Sequence, residues 1–309
     1  IELGNGDKFM FDFGFGSQGN FTALEIPYND ITAYFATHLH CDHVGEFAQI
    51  WVASWAGGRL KPLVVYGPSG PKPEYGFRHF VEKQMESYAW DTDTRVGYLP
   101  AIGAKVEIHE FDFAETGPIY EANGVTITSF PAVHIHDGPV SLRLDWQGMS
   151  FVYSGDTTPS LFLAENAKDA DVVVHETFNT TEQLQARSGY DAKSARGIGT
   201  IVHSDPEEAG QVLEMASPRL AVAYHFFNDF DTAREMEAAI RTHYSGALAL
   251  ATDFMVINVT AEDIVVRMAV VSEHAWPNKA RHAGFGEAER RAPLTPSNWL
   301  MERALDRKE

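Results

Sequence analysis

The chain has 309 residues, 44% of them hydrophobic, enough for a sizeable core in one large domain or two small ones. Its 24 Lys and Arg against 43 Asp and Glu give a formal net charge of −19, a sign that repels a phosphate backbone, and no local basic patch offsets it. No apolar stretch reaches the length of on the order of 18 residues that a membrane span needs, and the only cysteine, Cys41, excludes an intrachain disulfide. The single thiol fits a reducing compartment, so a soluble, cytoplasmic location is expected; a cleaved leader stays open because the chain starts at Ile1.

In chain order, residues 8–13 (KFMFDF) alternate like a strand and run into the glycine-rich GFGSQGN, and residues 33–37 (AYFAT) form a short buried strand. THLHCDH, from Thr37 to His43, concentrates three histidines and an aspartate on the loop leaving that strand. Phe47, Ile50, Trp51, Ser54 and Trp55 then recur at helical spacing up to Gly57 and Gly58, and residues 62–67 (PLVVYG) form the next strand. Residues 68–103 change character: proline and glycine come first, then Phe77, Phe80, Val81, Met85, Tyr88 and Trp90, the pattern of an insertion or lid. Together with Trp51 and Trp55 this segment is expected to roof the site with apolar surface, to pack as core, or to form a dimer contact. Strands follow at VTITSFPAVH, at VSLRLDWQGMSFVYSGD with a hairpin near Gln147 and Gly148, and at DVVVHE. Ser204 to Glu208 carry the cap, proline and acidic signals of a helix ending near Ser217, with RLAVAYH as the strand after it. A helix over 232–243 and the strands ALALA, FMVINVT and IVVRMAV complete an alternating α/β pattern. The domain is taken as 1–275, with a C-terminal extension at 276–309 that is expected to dock on a partner subunit or cover the mouth of the site.

Side chains two apart on an extended loop point the same way, so His38 and His40 can reach one metal while Asp42 and His43 face a neighbouring point. Further ligands should lie where other strands end. His134, Asp156 and His225 each follow a predicted strand, and strand ends along one sheet edge converge.

THLHCDH, a downstream histidine, SGDT and a late strand-end histidine together resemble the metallo-β-lactamase superfamily, in particular its ribonuclease Z and arylsulfatase-like branch. FDFGFGSQGN, PLVVYGPSG, VVVHETF, HSDPEEAGQVLEMASPRLAVAYH and LATDF extend the likeness over nearly the whole chain. The resemblance implies a four-layer αβ/βα sandwich with a binuclear metal site at one edge between the two sheets. It implies one ion on His38, His40 and His134, another on Asp42, His43 and His225, and Asp156 as the bridge. Zinc suits such His and carboxylate donors, with manganese or iron as alternatives. Asp42 would also orient the metal-bound hydroxide, and Asp12 would steady the ligand loop. His136 competes with His134, which is preferred for its place after FPAV; Cys41 is expected to be a buried, inert thiol. His203 is assigned as general acid, with His175 and Glu176 as support.

Enzymes of the ribonuclease Z type carry a tRNA-gripping arm between the positions of His134 and Asp156, which stand only 22 apart here. One hairpin fills that span. With the negative charge, this leads to the expectation that nucleic acid is no partner. The substrate expected instead is a small hydrophobic or aromatic phosphodiester, sulfate or carboxylic ester, with hydrolytic dehalogenation second, no membrane partner, and a homodimer. From another class, a di-iron redox or sensing protein on the same fold is kept as an alternative.

Overall fold

Which side chains are large and apolar decides which face of each sheet is covered. In the computed structural model, which describes residues 1–228, 230–272 and 295–303, the first sheet is β1 (Phe9–Phe11), β2 (Ala33–Phe35), β3 (Leu63–Pro68) and β4 (Val106–Phe111). Its strands lie in that order and run parallel throughout. All three residues of β2 are buried, as both faces of a parallel strand must be when each is packed.

The second sheet holds β5 (Gly117–Ala122), β6 (Val125–Pro131), β7 (Val140–Trp146), β8 (Met149–Tyr153), β9 (Val172–Glu176), β10 (Leu220–Tyr224) and β11 (Leu248–Leu250) in sequential order. β5 to β8 form an antiparallel meander, whereas β8 to β11 are parallel. The β7–β8 turn falls at Gln147 and Gly148, both with positive φ, where the sequence places it.

Between the sheets, Phe9, Ala33 and Phe35 of the first meet Val125, Ile127, Val140, Leu142 and Leu144 of the second. The helices Phe47–Ala56 and Phe77–Ser87 cover the outer face of the first sheet through Phe47, Ile50, Trp51, Phe77 and Val81. On the outer face of the second, Leu163, Val212, Leu213 and Ile240 come from the helices Leu161–Asn166, Pro206–Ala216 and Phe230–Ile240. These are the four layers, helix, sheet, sheet and helix, that the resemblance implies.

Two points left open by the sequence are decided here. Trp51 and Trp55 do not roof the site: both are buried, and their indole N–H groups donate to the carbonyls of Ala104 (2.9 Å) and Pro100 (2.8 Å). An amphipathic helix with large rings saves more free energy against a sheet than over open solvent, and Phe77 and Val81 are likewise fully buried. FMVINVT and IVVRMAV are strands, as read, and stand apart from the main sheet. They pair as a separate antiparallel ribbon, β12 (Met255–Val259) with β13 (Ile264–Met268), which lays Ile257, Val259 and Ile264 over Val172, Leu220 and Val222. Of the expected C-terminal extension, residues 276–294 and 304–309 lie outside the described residues; Asn298–Met301 is a short helix.

Candidate metal centre

β7 is antiparallel to both β6 and β8, and β8, β9 and β10 are parallel, so β6, β8, β9 and β10 all end on one edge of the second sheet. His134 follows β6, Asp156 follows β8, Glu176 ends β9, and His225 follows β10 in a left-handed conformation at φ 69°. From the facing sheet, β2 delivers His38 and His40, and the single-turn helix Cys41–Val44 carries Asp42 and His43. Gly14 lets the preceding turn press against this helix: a Cβ there would lie 1.5 Å from the Asp42 carbonyl oxygen.

The ligating atoms of His38, His40, His134 and Asp156 lie within 4.8 Å of one another, as do those of Asp42, His43, Asp156 and His225. Asp156 belongs to both groups with a different oxygen for each. Its Oδ2 stands 3.7 Å from His38 Nε2 and 3.8 Å from His134 Nε2, while Oδ1 stands 3.2 Å from His43 Nε2 and 3.6 Å from His225 Nε2. His40 Nδ1 is 3.0 Å from His38 Nε2 and 3.4 Å from His134 Nε2, and Asp42 Oδ2 is 3.3 Å from His225 Nε2. Donors bound tetrahedrally at about 2.0–2.1 Å from one ion are about 3.3 Å apart, so these spacings fit a divalent metal.

The fit has a second mark. His43 Nε2 and Asp156 Oδ1 are buried without a hydrogen-bond partner, as is His225 Nδ1. An orphaned buried polar atom costs about 1–3 kcal/mol, a cost that a cation between the first two would remove. Meanwhile the far nitrogens are taken: His43 Nδ1 donates to Asp12 Oδ2 at 2.7 Å, His38 Nδ1 meets Thr37 Oγ1 at 3.1 Å, and His134 Nδ1 donates to the Val202 carbonyl. Each bond holds its ring with Nε2 facing the site, where it can bind a metal once it carries no proton. Asp12 also accepts from Thr37 N, Thr37 Oγ1 and Tyr153 OH, which makes it the anchor of the ligand loop. Thr37, Tyr153 and the Val202 carbonyl escape the sequence reading; only Thr37, by opening THLHCDH, leaves a signal there.

Burial keeps His38 well below its ordinary pKa and lowers His134 to about 4. Burial also works against His43, yet the charge and hydrogen bond of Asp12, joined by Asp156, raise it to about 11. For Asp156 the order of forces is the same: burial would raise it, but His43 and His225 hold it well below the usual carboxylate range.

His203 stands behind Asp156, with Nδ1 2.9 Å from Glu176 Oε1 and its ring stacked on Phe178 at 4.3 Å. Burial lowers His203 to about 4 and pushes Glu176 well above the usual carboxylate range. Glu176, His203 and His225 also form a third set of mutually close donors. His136 joins none of these groups, which leaves His134 as the histidine facing the other donors. Cys41 is exposed rather than buried, because the first residue of a one-turn helix at the rim has no layer above it. A cavity of about 410 Å³ opens beside His38, His40 and His134, walled by Pro68, Ser69, Glu74 and Tyr75 on one side and residues 135–139 on the other.

Residues 8–226 match the family described as the β-lactamase superfamily domain. The chain belongs to this superfamily. It is a metal-dependent hydrolase, and its histidine and aspartate cluster fits a divalent metal. Among curated relatives, the ribonuclease Z of Mycobacterium marinum is 25% identical over 264 residues, covering 83% of this chain and 90% of that protein. Among solved structures, human tRNase Z, short form, has a TM-score of 0.58 at 18% identity and covers 84% of this chain and 91% of its own. The metallo-β-lactamase fold protein YhfI from Bacillus subtilis has a TM-score of 0.57 at 16% identity, covering 81% of this superfamily member and 87% of its own chain. These two likenesses show the fold.

The relatives overturn the expectation that nucleic acid is no partner, since the curated ones are named for ribonuclease activity. A whole-chain charge of −19 does not report the field at one sheet edge, where bound divalent cations would set the local sign. Nothing in these likenesses supports an arylsulfatase-like protein or a small-molecule substrate. Among the described residues no helix is long and apolar enough to cross a membrane.

Proposed function

We propose that this superfamily member is a two-zinc phosphodiesterase that cleaves RNA. His38, His40 and His134 would hold one zinc, and Asp42, His43 and His225 the other. Asp156 turns one oxygen to each of these donor groups, and this division of its two oxygens is the observation that carries the reading. When bound, the ions supply the positive charge that activates water and draws electron density from the phosphoryl oxygens. The names of the curated relatives support RNA as the substrate.

The chain's own residues supply the rest. Asp42, on the exposed rim, accepts the proton of the attacking water or holds that water in line. His203 protonates the leaving oxygen, and Glu176 is its proton reserve. The pair holds two protons either as neutral imidazole with a carboxylic acid or as imidazolium with a carboxylate. Passing the acid proton to Nδ1 therefore frees Nε2–H for the leaving group. Phe178 keeps the ring in that plane.

The test is cleavage of an end-labelled RNA carrying a 3′ extension, and of bis(p-nitrophenyl) phosphate, by zinc-loaded protein with and without chelator. Chelator-sensitive cleavage of both is expected. His203→Ala should retain its zinc and lose about 10²–10⁴-fold in rate on RNA, but less on the aryl ester, whose leaving group needs little protonation. A zinc-loaded protein that cleaves neither substrate overturns the reading.

A further inference from the structure

We propose that the cavity beside His38, His40 and His134 is a nucleobase pocket, in which Tyr75 stacks on the base next to the scissile phosphate. This rests on the phosphodiesterase reading above. At about 410 Å³ the cavity sits at the small end of the ~300–1,000 Å³ range of ligand pockets, the scale of one nucleoside rather than of a duplex. It is continuous with three of the proposed zinc ligands, so a group filling it stays joined to whatever the metals hold.

Its lining suits a base and not a phosphate. Glu74 and Asp137 are the charged residues on its wall besides histidines. Carboxylates repel a phosphate but accept hydrogen bonds from base N–H groups, and apolar contact comes from Leu39, Pro68, Ile135 and Pro139. Tyr75 is half exposed at 51%, so part of its ring stays open to a group that enters the cavity. Lys72 Nζ lies 3.9 Å over the ring, and His136 stands edge-on at 6.2 Å, so the ring is already used as an aromatic surface.

The loop holds Tyr75 in place. Ser69 N–H donates to the Phe111 carbonyl and Ser69 Oγ accepts from Phe113 N–H, which ties the loop to the end of β4. Pro73 starts the 3₁₀ turn Pro73–Tyr75, and Gly70 leaves room for it, since a Cβ there would fall 2.5 Å from the Tyr75 carbonyl oxygen. A ring presented from a braced turn loses little entropy on stacking, and one stacked base in comparable single-strand sites is worth roughly 5- to 150-fold in affinity.

Equilibrium binding to the zinc-loaded full chain tests this, with cytidine 5′-monophosphate and ribose 5-phosphate as the probes. They share the phosphate and the sugar and differ in the base. The nucleotide should bind about tenfold tighter. Tyr75→Ala should erase that difference with zinc content and ribose 5-phosphate affinity unchanged, and Tyr75→Phe should keep it. Equal affinity of the two probes for the native protein would overturn the base pocket and leave the phosphodiesterase reading standing, as would a Tyr75→Ala variant that retains the full difference. Failure of both probes to bind at all would overturn both.

Discussion

Asp156 concentrates the chemistry of the site in one carboxylate. Replacing it with Asn removes a negative charge shared by two donor groups and puts an N–H₂ beside one set of histidine nitrogens. Zinc content of Asp156→Asn should fall toward zero for both ions, measured by metal analysis after gel filtration; retention of both would exclude the bridge. Asp12 acts one shell out, through four hydrogen bonds, and Asp12→Ala should weaken zinc about 10–100-fold while the fold survives. His43 adds a pH effect. Its metal-free pKa is raised to about 11 by Asp12 and Asp156 against the pull of burial, so at neutral pH it carries a proton that must leave before Nε2 can bind zinc. Zinc uptake at pH 7 should therefore release protons, and zinc affinity should rise as the pH is raised through the neutral range. Proton release measured in weakly buffered solution checks this, with less release expected from Asp12→Asn.

At the scale of elements, close backbone contacts decide where the ligands stand. Gly14→Ala would drive a methyl into the Asp42 carbonyl, and the helix Cys41–Val44 would have to move. Loss of zinc with most of the secondary structure intact is expected, read by metal analysis and far-ultraviolet circular dichroism. The helix Pro206–Ala216 is different, because its start is written in adjacent residues. Asp205 accepts from Glu208 N–H and Glu208 accepts from Asp205 N–H, with Pro206 at the first turn, and these are the signals visible in SDPEE. The Gln147–Gly148 hairpin is legible for the same reason. The helix expected over 232–243 is observed at Phe230–Ile240, its end being marked by no comparable signal. Trp51 and Trp55 were ambiguous because an amphipathic stripe says which residues want cover and not what provides it.

On the scale of the whole molecule, two sheets and a metal cluster stabilise each other. Ile127 lies fully buried between the sheets, and Ile127→Ala should destabilise the fold by about 2–5 kcal/mol, seen as a lower thermal midpoint in the chelated and zinc-loaded protein alike. Chelation by itself should lower the midpoint too, since ions bound only by the folded state add stability that grows with their concentration.

Net charge is the property for which the chain-wide reading failed, because a sum over 309 residues carries no positions. The sequence by itself determined the alternation of strands and helices and the residues whose donors converge, because a strand end places its next side chains within a few positions of a recognisable pattern. Only the tertiary structure decided that Asp156 turns one oxygen to each group, that Asp12 anchors His43, that Cys41 is exposed, and that Tyr75 rather than Trp51 or Trp55 walls the cavity. Those depend on distances between segments up to 183 residues apart, as Asp42 and His225 are, and such distances are set by how the layers pack and not by any local run of residues.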